Sequence, residues 1–278
     1  MNILITGNEG YIGSKLQKEL GSLDCNIYGV DLKSGLDLVN FKFNKKVDCV
    51  FHLAALPSVK FSVENPSYSL RHNVLATSKA LEIAKECGAK RFIFSSSAAV
   101  YGNNGSPTSP YGLHKLMSEM ECKLYSELYD IDTVCLRYFN IFSEDQKYGG
   151  AYSTVISAWM EMLSRNKSLR IDGDGSQSRD FIHVDDIISA NLFCMNFKGE
   201  FCGESYDVGN GKEISLNEIK NIVNEYQKRV SWDSRDARIG DIKNSVSNIE
   251  NGLQKFGWSP KIDPISEFNN YFSYNFNL

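Results

Sequence analysis

No stretch of the chain approaches the roughly 18 consecutive apolar residues that a membrane-spanning helix needs. The sequence opens on Met1-Asn2-Ile3-Leu4-Ile5, with no basic region and no cleavage site ahead of it. Neither export nor membrane insertion is expected. No run of basic residues breaks the charge balance, in which 30 Lys and Arg face 34 Asp and Glu for a formal net charge of −4. Nothing therefore points to a binder of the phosphate backbone of nucleic acids, and an anionic ligand must be met by a few placed groups. No Cys-x-x-Cys pair occurs among the seven cysteines, which are odd in number and mostly sit among apolar neighbours. That is the pattern of reduced core thiols, and it favours a cytoplasmic protein. No pair among the four histidines has ligand spacing with a cysteine or carboxylate, so no metal site is expected. There is no internal repeat and no low-complexity linker.

What is present fits a globular chain of 278 residues, 42% hydrophobic and 23% charged. That length exceeds a single mid-sized domain and suggests one large domain or two intimately joined ones. The first half alternates short apolar runs with longer helical patterns, the rhythm of βαβ units that build a parallel sheet covered on both faces. Ile3 to Thr6, Ile27 to Asp31, Val47 to Leu53, Arg91 to Ser95 and Thr133 to Tyr138 read as strands. Pro66 to Cys87 reads as a helix, with Pro66 at its start and Gly88 past its end, and Tyr111 to Leu128 reads as a second. After Phe142 the rhythm changes to α+β, with a helix expected over Tyr152 to Leu163. The domain boundary is placed near Gly149-Gly150, so that residues 1–150 form one domain and 151–278 mainly the other. Ser205 to Val208 reads as a strand that returns to the main sheet.

Gly7-Asn8-Glu9-Gly10-Tyr11-Ile12-Gly13 directly follows the first strand and opens an amphipathic helix. Three glycines at this spacing make a tight turn, let backbone approach a pyrophosphate, and let helix pack on strand. The helix N-terminus adds amides and a positive dipole. Asp31 at the end of the next strand can accept bonds from a ribose diol and repel a 2′-phosphate, which favours NAD over NADP, although Lys33 nearby works against that preference.

Phe94-Ser95-Ser96-Ser97-Ala98-Ala99-Val100-Tyr101-Gly102 ends the fourth strand, the edge at which open α/β sheets place ligands. Tyr111-Gly112-Leu113-His114-Lys115 begins the following helix. Tyrosine and lysine four residues apart lie one turn from each other, so the ammonium can stabilise a phenolate.

With these elements in place the chain resembles the extended short-chain dehydrogenases/reductases of the NAD-dependent epimerase/dehydratase family, nearest to the UDP-hexose 4-epimerases. The likeness spans essentially the whole length. It includes His52-Leu53-Ala54-Ala55, Asn73, Arg137-Tyr138-Phe139-Asn140, Arg179-Asp180-Phe181-Ile182-His183-Val184-Asp185-Asp186 and Arg238-Ile239-Gly240-Asp241. The resemblance implies a Rossmann-type doubly wound parallel sheet with a smaller α+β substrate-binding domain. It assigns Tyr111 as acid/base on the sugar hydroxyl, Lys115 to the nicotinamide ribose and to tuning Tyr111, and Ser97 to the hydroxyl and its tyrosine. Gly7, Gly10, Tyr11, Ile12, Gly13, Asp31 and Leu32 are implied to meet NAD, as are Leu53, Ala54, Ala55, Asn73 and Tyr138. A brief strand at Asp37-Leu38 is expected to border the adenine. Asn140, Arg179, Arg238 and Asp241 are implied to hold the nucleotide sugar, and Ser245, seven residues after Arg238, to border the sugar ring. In the family that the chain resembles, a small residue at that last place goes with tolerance of a 2-N-acetyl group.

Relatives that dehydrate or decarboxylate carry acidic residues just after the serine, whereas this chain has Ala98 and Ala99, which move no proton. The reading is thus a nucleotide-sugar 4-epimerase with bound NAD, acting on a UDP-hexose or UDP-N-acetylhexosamine; surface-polysaccharide precursors are the natural product. A reductase of a nucleotide 4-keto sugar is the alternative, and a non-catalytic nucleotide-binding regulator a more distant one. The family's helix-paired homodimer is expected, with Pro66 to Cys87 and Tyr111 to Leu128 as the helices. Two stretches are shorter than in many relatives: Asp31 to Val47, and Gly102 to Tyr111, which leaves little loop over a sugar. His52 and His183 read as structural hydrogen-bonders, His72 and His114 as solvent-facing, and Asp185-Asp186 as a helix N-terminal pair.

Overall fold

The computed structural model describes residues 1–103, 105–146, 149, 154–237 and 243–274. The chain forms two compact units, Met1–Tyr138 with Ile187–Asp207, and Phe139–Asp186 with Val208–Leu278. The division falls after Tyr138, where the fifth strand ends, rather than near Gly149-Gly150, where the sequence places the boundary; Gly150 itself lies outside the described residues.

The first unit runs through β1 (Asn2–Thr6), α1 (Tyr11–Leu20), β2 (Asn26–Val30), β3 (Cys49–His52), α2 (Val59–Glu64), α3 (Pro66–Leu70), α4 (Ala76–Glu86), β4 (Arg91–Ser97), α5 (Pro110–Leu128) and β5 (Asp132–Tyr138). The second unit contributes β6 (Asn140–Phe142), α6 (Val155–Ser164), β7 (Leu169–Asp172), β8 (Ser178–Arg179), β9 (Phe181–His183) and the start of α7 (Val184–Asn196) before β10 (Ser205–Val208) returns. The six-stranded sheet has the order β10-β5-β4-β3-β1-β2, and the pairings β2/β1, β1/β3, β3/β4 and β4/β5 are all parallel. Ile3, Leu4 and Ile5 are fully buried because a parallel sheet is covered on both faces.

Helices α3 and α4 are joined by a π-helical turn over Arg71–Leu75, so one helical run extends from Pro66 to Glu86 and stops at Gly88, whose φ of 74° is left-handed. His52 links the sheet to that run: its Nδ1 meets the Thr6 hydroxyl at 2.6 Å and its Nε2 that of Thr77 at 2.9 Å. Two expectations are corrected. His72 and His114 are buried rather than solvent-facing, the first against the Tyr68 ring and the second bonded to the Ser69 hydroxyl at 3.1 Å, because the closely packed α3 and α5 exclude water from both. Asp37-Leu38 forms no strand; Asp37 caps a 3₁₀ turn over Leu38–Asn40, because its carboxylate accepts the Val39 amide and the turn buries Leu38.

The second unit adds β11 (Ile214–Ser215), α8 (Leu216–Tyr226), β12 (Trp232–Arg235), β13 (Asn244–Ser245) and α9 (Pro264–Tyr274). Its core gathers Phe142, Trp159, Phe181, Phe268 and Phe272. The expected helix start at Tyr152 lies outside the described residues; α6 begins at Val155, where Thr154 and Ser157 form a reciprocal cap. His183 accepts the Asp185 amide through Nδ1 at 3.3 Å. Asp185 and Asp186 do open α7, and the Asp186 carboxylate accepts the Lys261 and Ile262 amides at 2.9 and 3.0 Å. All seven cysteines are free, and among the described residues no helix is long and apolar enough to cross a membrane.

Asp180 organises the second unit's loops. It is completely buried, and its carboxylate accepts the amides of Asn210, Gly211 and Ser247 and the Ser247 hydroxyl, at 2.6 to 3.0 Å. Asp180→Ala leaves these donors unsatisfied and is expected to cost about 3 kcal/mol in urea unfolding, with Asp180→Asn recovering part of it. An alanine variant within about 0.5 kcal/mol of the parent contradicts this account.

Candidate active site

The carboxyl ends of β1, β3, β4 and β5 meet at one edge of the first unit's sheet, and the sequence-predicted residues of that unit collect there. After β1 the chain turns at Gly7 with φ 73°, and a Cβ at Gly7 would lie 2.7 Å from the Ala54 amide nitrogen. The loops after β1 and β3 are therefore in direct backbone contact, which brings Leu53, Ala54 and Ala55 beside the glycine loop; Ala54 N also donates to the Thr6 hydroxyl at 3.2 Å. A Cβ at Gly13 would sit 2.0 Å from the Gly7 carbonyl, so only glycine lets α1 close on this turn. Gly10 caps α1 with no side-chain hydrogen bond, and the helix has no acidic residue in its first turn. Its Tyr11-Ile12-Gly13 amides face a place where an anion is favoured.

Asp31 follows β2 and accepts the amides of Glu9 and Lys33, each at 2.9 Å, which ties the glycine loop to the end of β2; Lys33 in turn donates to the Glu9 carbonyl. Leu32 beside it is exposed. Asp37 pairs with Arg71 at 2.6 Å. Burial pushes the Asp37 carboxyl up, but the Arg71 bond and the Val39 amide outweigh it and the group stays below the usual carboxylate range. Asn73, on the π-turn, uses its amide internally: Oδ1 accepts Leu56 N at 3.0 Å, and Nδ2 donates to Ser69 Oγ at 3.1 Å. It thereby holds the loop that follows Leu53-Ala54-Ala55. The Tyr138 hydroxyl accepts from Ser95 at 3.1 Å and from Asn191 at 2.8 Å.

Ser97 ends β4, and its Oγ accepts the Ala99 amide at 3.2 Å, turning the chain through a 3₁₀ turn over Ala98–Val100. Helix α5 starts against this turn. Ser109 caps it, Pro110 occupies its first position, and a Cβ at Gly112 would lie 2.3 Å from the Ala99 carbonyl. That absence of a side chain lets Tyr111 approach the Ser97 turn, while Ser62 Oγ accepts the Tyr111 amide at 3.1 Å. Lys115, one turn on, is 3% exposed, donates to the Ser95 carbonyl at 2.6 Å, and lies 4.6 Å from the Phe94 ring centre and 5.9 Å from that of Tyr111. Burial brings its ammonium down from 10.5 to about 8, and Glu119 one further turn along opposes that shift.

The short segment before Tyr111 is pinched by a bridge between Gly102 and Ser106. Residues that sequence reasoning missed are Ser62 and Glu119; the second is signalled by its place eight residues after Tyr111 on the same helix. Of the residues expected to meet the nucleotide sugar, Arg238 and Asp241 lie outside the described residues. The second unit brings the other three together: Ser245 on β13 pairs with Arg179 on β8, and Asn140 bonds to the Asp180 carbonyl at 3.1 Å.

A glycine loop opening a helix after β1 of a parallel sheet, with Ser97 at the end of β4 and Tyr111 and Lys115 at the start of α5, defines a Rossmann-type dinucleotide-binding fold of the extended short-chain dehydrogenase/reductase class. The chain belongs to the NAD dependent epimerase/dehydratase family, whose model matches residues 3–209. It is similar to the UDP-glucose 4-epimerase of Mycolicibacterium smegmatis, at 28% identity over 94% of this chain and 93% of that protein. Among solved structures it resembles a UDP-N-acetylglucosamine 4-epimerase from Methanobrevibacter ruminantium M1 in complex with UDP-N-acetylmuramic acid, with 31% identity, TM-score 0.89, and 98% and 97% of the two chains covered. It also resembles the UDP-glucuronic acid 4-epimerase of Bacillus cereus in complex with UDP-glucuronic acid and NAD, with 26% identity, TM-score 0.88 and 99% of each chain covered.

The unfolded chain restores Lys115 to its usual 10.5, so between about 8 and 10.5 it binds more protons than the folded chain. Stability from this group therefore rises with pH across that window and is lowest below it, where a buried charge is retained. Urea unfolding of the parent and Lys115→Met at pH 7.5 and about pH 10 is expected to show the parent gaining on the variant by a few kcal/mol. A pH-independent difference between the two contradicts the depressed ammonium.

Proposed function

We propose that the protein is a nucleotide-sugar 4-epimerase that transiently oxidises C4 of a UDP-hexose or UDP-N-acetylhexosamine with bound NAD. One observation carries the reading: Tyr111 and buried Lys115 stand one turn apart on α5, which abuts the turn bearing Ser97, and only Ala98 and Ala99 follow that serine. The uridine ligands and the NAD of the structural relatives support the nucleotide and the cofactor.

The residues present fit NAD. The glycine turn and the uncapped α1 amides suit a pyrophosphate, Asp31 suits a ribose diol, and Lys115 is assigned to the nicotinamide ribose. Bound NAD would supply the hydride acceptor and donor for C4, with no net redox change over the cycle. Tyr111 takes the proton of the C4 hydroxyl as its carbon is oxidised and gives it back on reduction. The Lys115 ammonium stabilises the phenolate so formed, and its bond to the Ser95 carbonyl keeps it from moving away. Ser97 offers its hydroxyl to the same C4 oxygen. Asn140, Arg179 and Ser245, with Arg238 and Asp241, are assigned to the nucleotide sugar; amide and guanidinium donors suit a diphosphate.

The test is proton NMR of the purified protein with UDP-glucose, UDP-galactose and their N-acetyl counterparts, with no cofactor added. A new C4 epimer, read from the H3/H4 coupling, is the expected result. Tyr111→Phe is expected to lower its rate by about 10²- to 10⁴-fold while leaving retained dinucleotide unchanged. Parental turnover in that variant contradicts the assignment, and an unchanged panel with the parent favours the reductase.

The protein is further assigned to the cytoplasm, in keeping with seven free thiols, and to a homodimer. Leu113, Met117, Met120, Leu124 and Leu128 recur at three- and four-residue intervals along α5 and are 39 to 67% exposed. Val63 on α2, and Tyr68 and Leu75 on the neighbouring helical run, are exposed as well. An apolar stripe of this length suits a helix-pairing partner. Light scattering at micromolar concentration is expected to give twice 31.3 kDa, and Met120→Glu with Leu124→Glu the single-chain mass; a parent at the single-chain mass overturns the dimer.

A further inference from the structure

A buried polar network surrounds the turn that carries Ser97 and reaches the helix that carries Tyr111 and Lys115. Glu119, 4% exposed, lies one turn beyond Lys115 on α5. Arg137 on β5 grips its carboxylate with both ends of the guanidinium, Nε to Oε1 at 2.9 Å and Nη2 to Oε2 at 2.6 Å. The remaining Arg137 nitrogen, Nη1, donates to the Tyr101 hydroxyl at 2.8 Å, and that hydroxyl donates to the Asp207 carboxylate on β10 at 2.7 Å. The Ser96 hydroxyl donates to Glu119 Oε1 at 2.5 Å. Ser96 and Arg137 are also register partners in the sheet.

Ser96 precedes Ser97, and Tyr101 closes the turn that follows it. The chain is therefore held on both sides of Ser97, and both holds run through the same Glu119–Arg137 pair. Fork-to-carboxylate geometry fixes direction as well as distance, which a single hydrogen bond does not. We infer that Glu119 is a positioning residue: paired with Arg137, it ties the strand end bearing Ser97 to the helix bearing Tyr111 and Lys115 by one tether on each side of Ser97. Burial and the Asp207 bond push the Tyr101 phenol up to about 12, so it stays protonated and keeps donating to Asp207 at every working pH. The Tyr101 ring lies under the Arg137 guanidinium at 4.9 Å, which adds a second contact to the same tether.

Loss of the tether leaves the reacting groups present but loosely registered, and a misplacement of about 1 Å costs on the order of 100-fold in rate. The test compares the parent with Glu119→Gln, which keeps the side-chain shape but removes the charge, and with Tyr101→Phe, which removes one hydroxyl. Two readouts are taken on the full-length protein with its retained cofactor. In hydrogen exchange, the amides from Ser96 to Tyr101 are expected to exchange faster in both variants, while β1 and β3 keep parental protection. In kinetics, which rest on the epimerase reading above, kcat is expected to fall about 10- to 100-fold in Glu119→Gln and less in Tyr101→Phe, with KM within about twofold of the parent. A purely structural Glu119 instead raises exchange throughout the sheet and leaves kcat per folded molecule unchanged; that result, or parental exchange and kcat in both variants, overturns the proposal. If Glu119→Gln does not fold, Tyr101→Phe and Ser96→Ala carry the same readouts. If the parent turns over no UDP-sugar, the epimerase reading fails by itself, and local exchange then decides the tether: faster exchange supports it, parental exchange overturns it.

Discussion

The constraint on which the rest depends is the parallel sheet's need to be covered on both faces. Parallel strands cannot be joined by hairpins, so every connection must cross over, and the crossovers are helices. With β1, β3, β4 and β5 running the same way, the loops that leave their carboxyl ends accumulate at one edge. The glycine turn, the Leu53-Ala54-Ala55 loop, the Ser97 turn and the start of α5 are four such exits. Their convergence needs no functional explanation, but it offers chemistry a place where backbone amides and short side chains already face one another.

Close approach then sharpens that edge. Two places decide it, and both turn on the absence of a Cβ: Gly13 beneath the Gly7 carbonyl, and Gly112 beneath that of Ala99. The first lets α1 present its uncapped amides to the loop, and the second lets Tyr111 begin its helix against the Ser97 turn. A methyl group at either place forces apart elements that the site requires to touch. Lys115 is the energetic counterpart of this packing. Its ammonium is taken out of water, held by the Ser95 carbonyl and Phe94, and kept near Tyr111 where its charge acts in a low-dielectric setting. A surface lysine at the same helical spacing would be screened and mobile.

Most of the first unit was legible from periodicity, because β1 to β5 are short apolar runs closed by polar or glycine-bearing loops, and Pro66 and Gly88 mark the ends of a long helical run. The glycine loop, Asp31, Ser97, Tyr111 and Lys115 were legible as candidates, since their spacing is imposed by one turn of helix or one strand end. His72 and His114 were not, because a polar residue on a helix is buried only when another helix covers it, and that packing lies between segments distant in sequence. Asp37-Leu38 misled in a similar way: two residues carry no period, and a side-chain cap on Val39 decided the local conformation.

The sequence by itself determined the class of fold, the dinucleotide loop and the Ser, Tyr and Lys set, because each is written in local spacing along a strand or a helix. Only the tertiary structure decided the surroundings of those groups: the burial of Lys115, the turn of Asn73 toward Leu56 and Ser69, and the meeting of Ser96, Glu119, Arg137, Tyr101 and Asp207. These five residues come from three strands, a turn and a helix. No local period relates them, and their partnership exists only once the sheet has brought β4, β5 and β10 side by side.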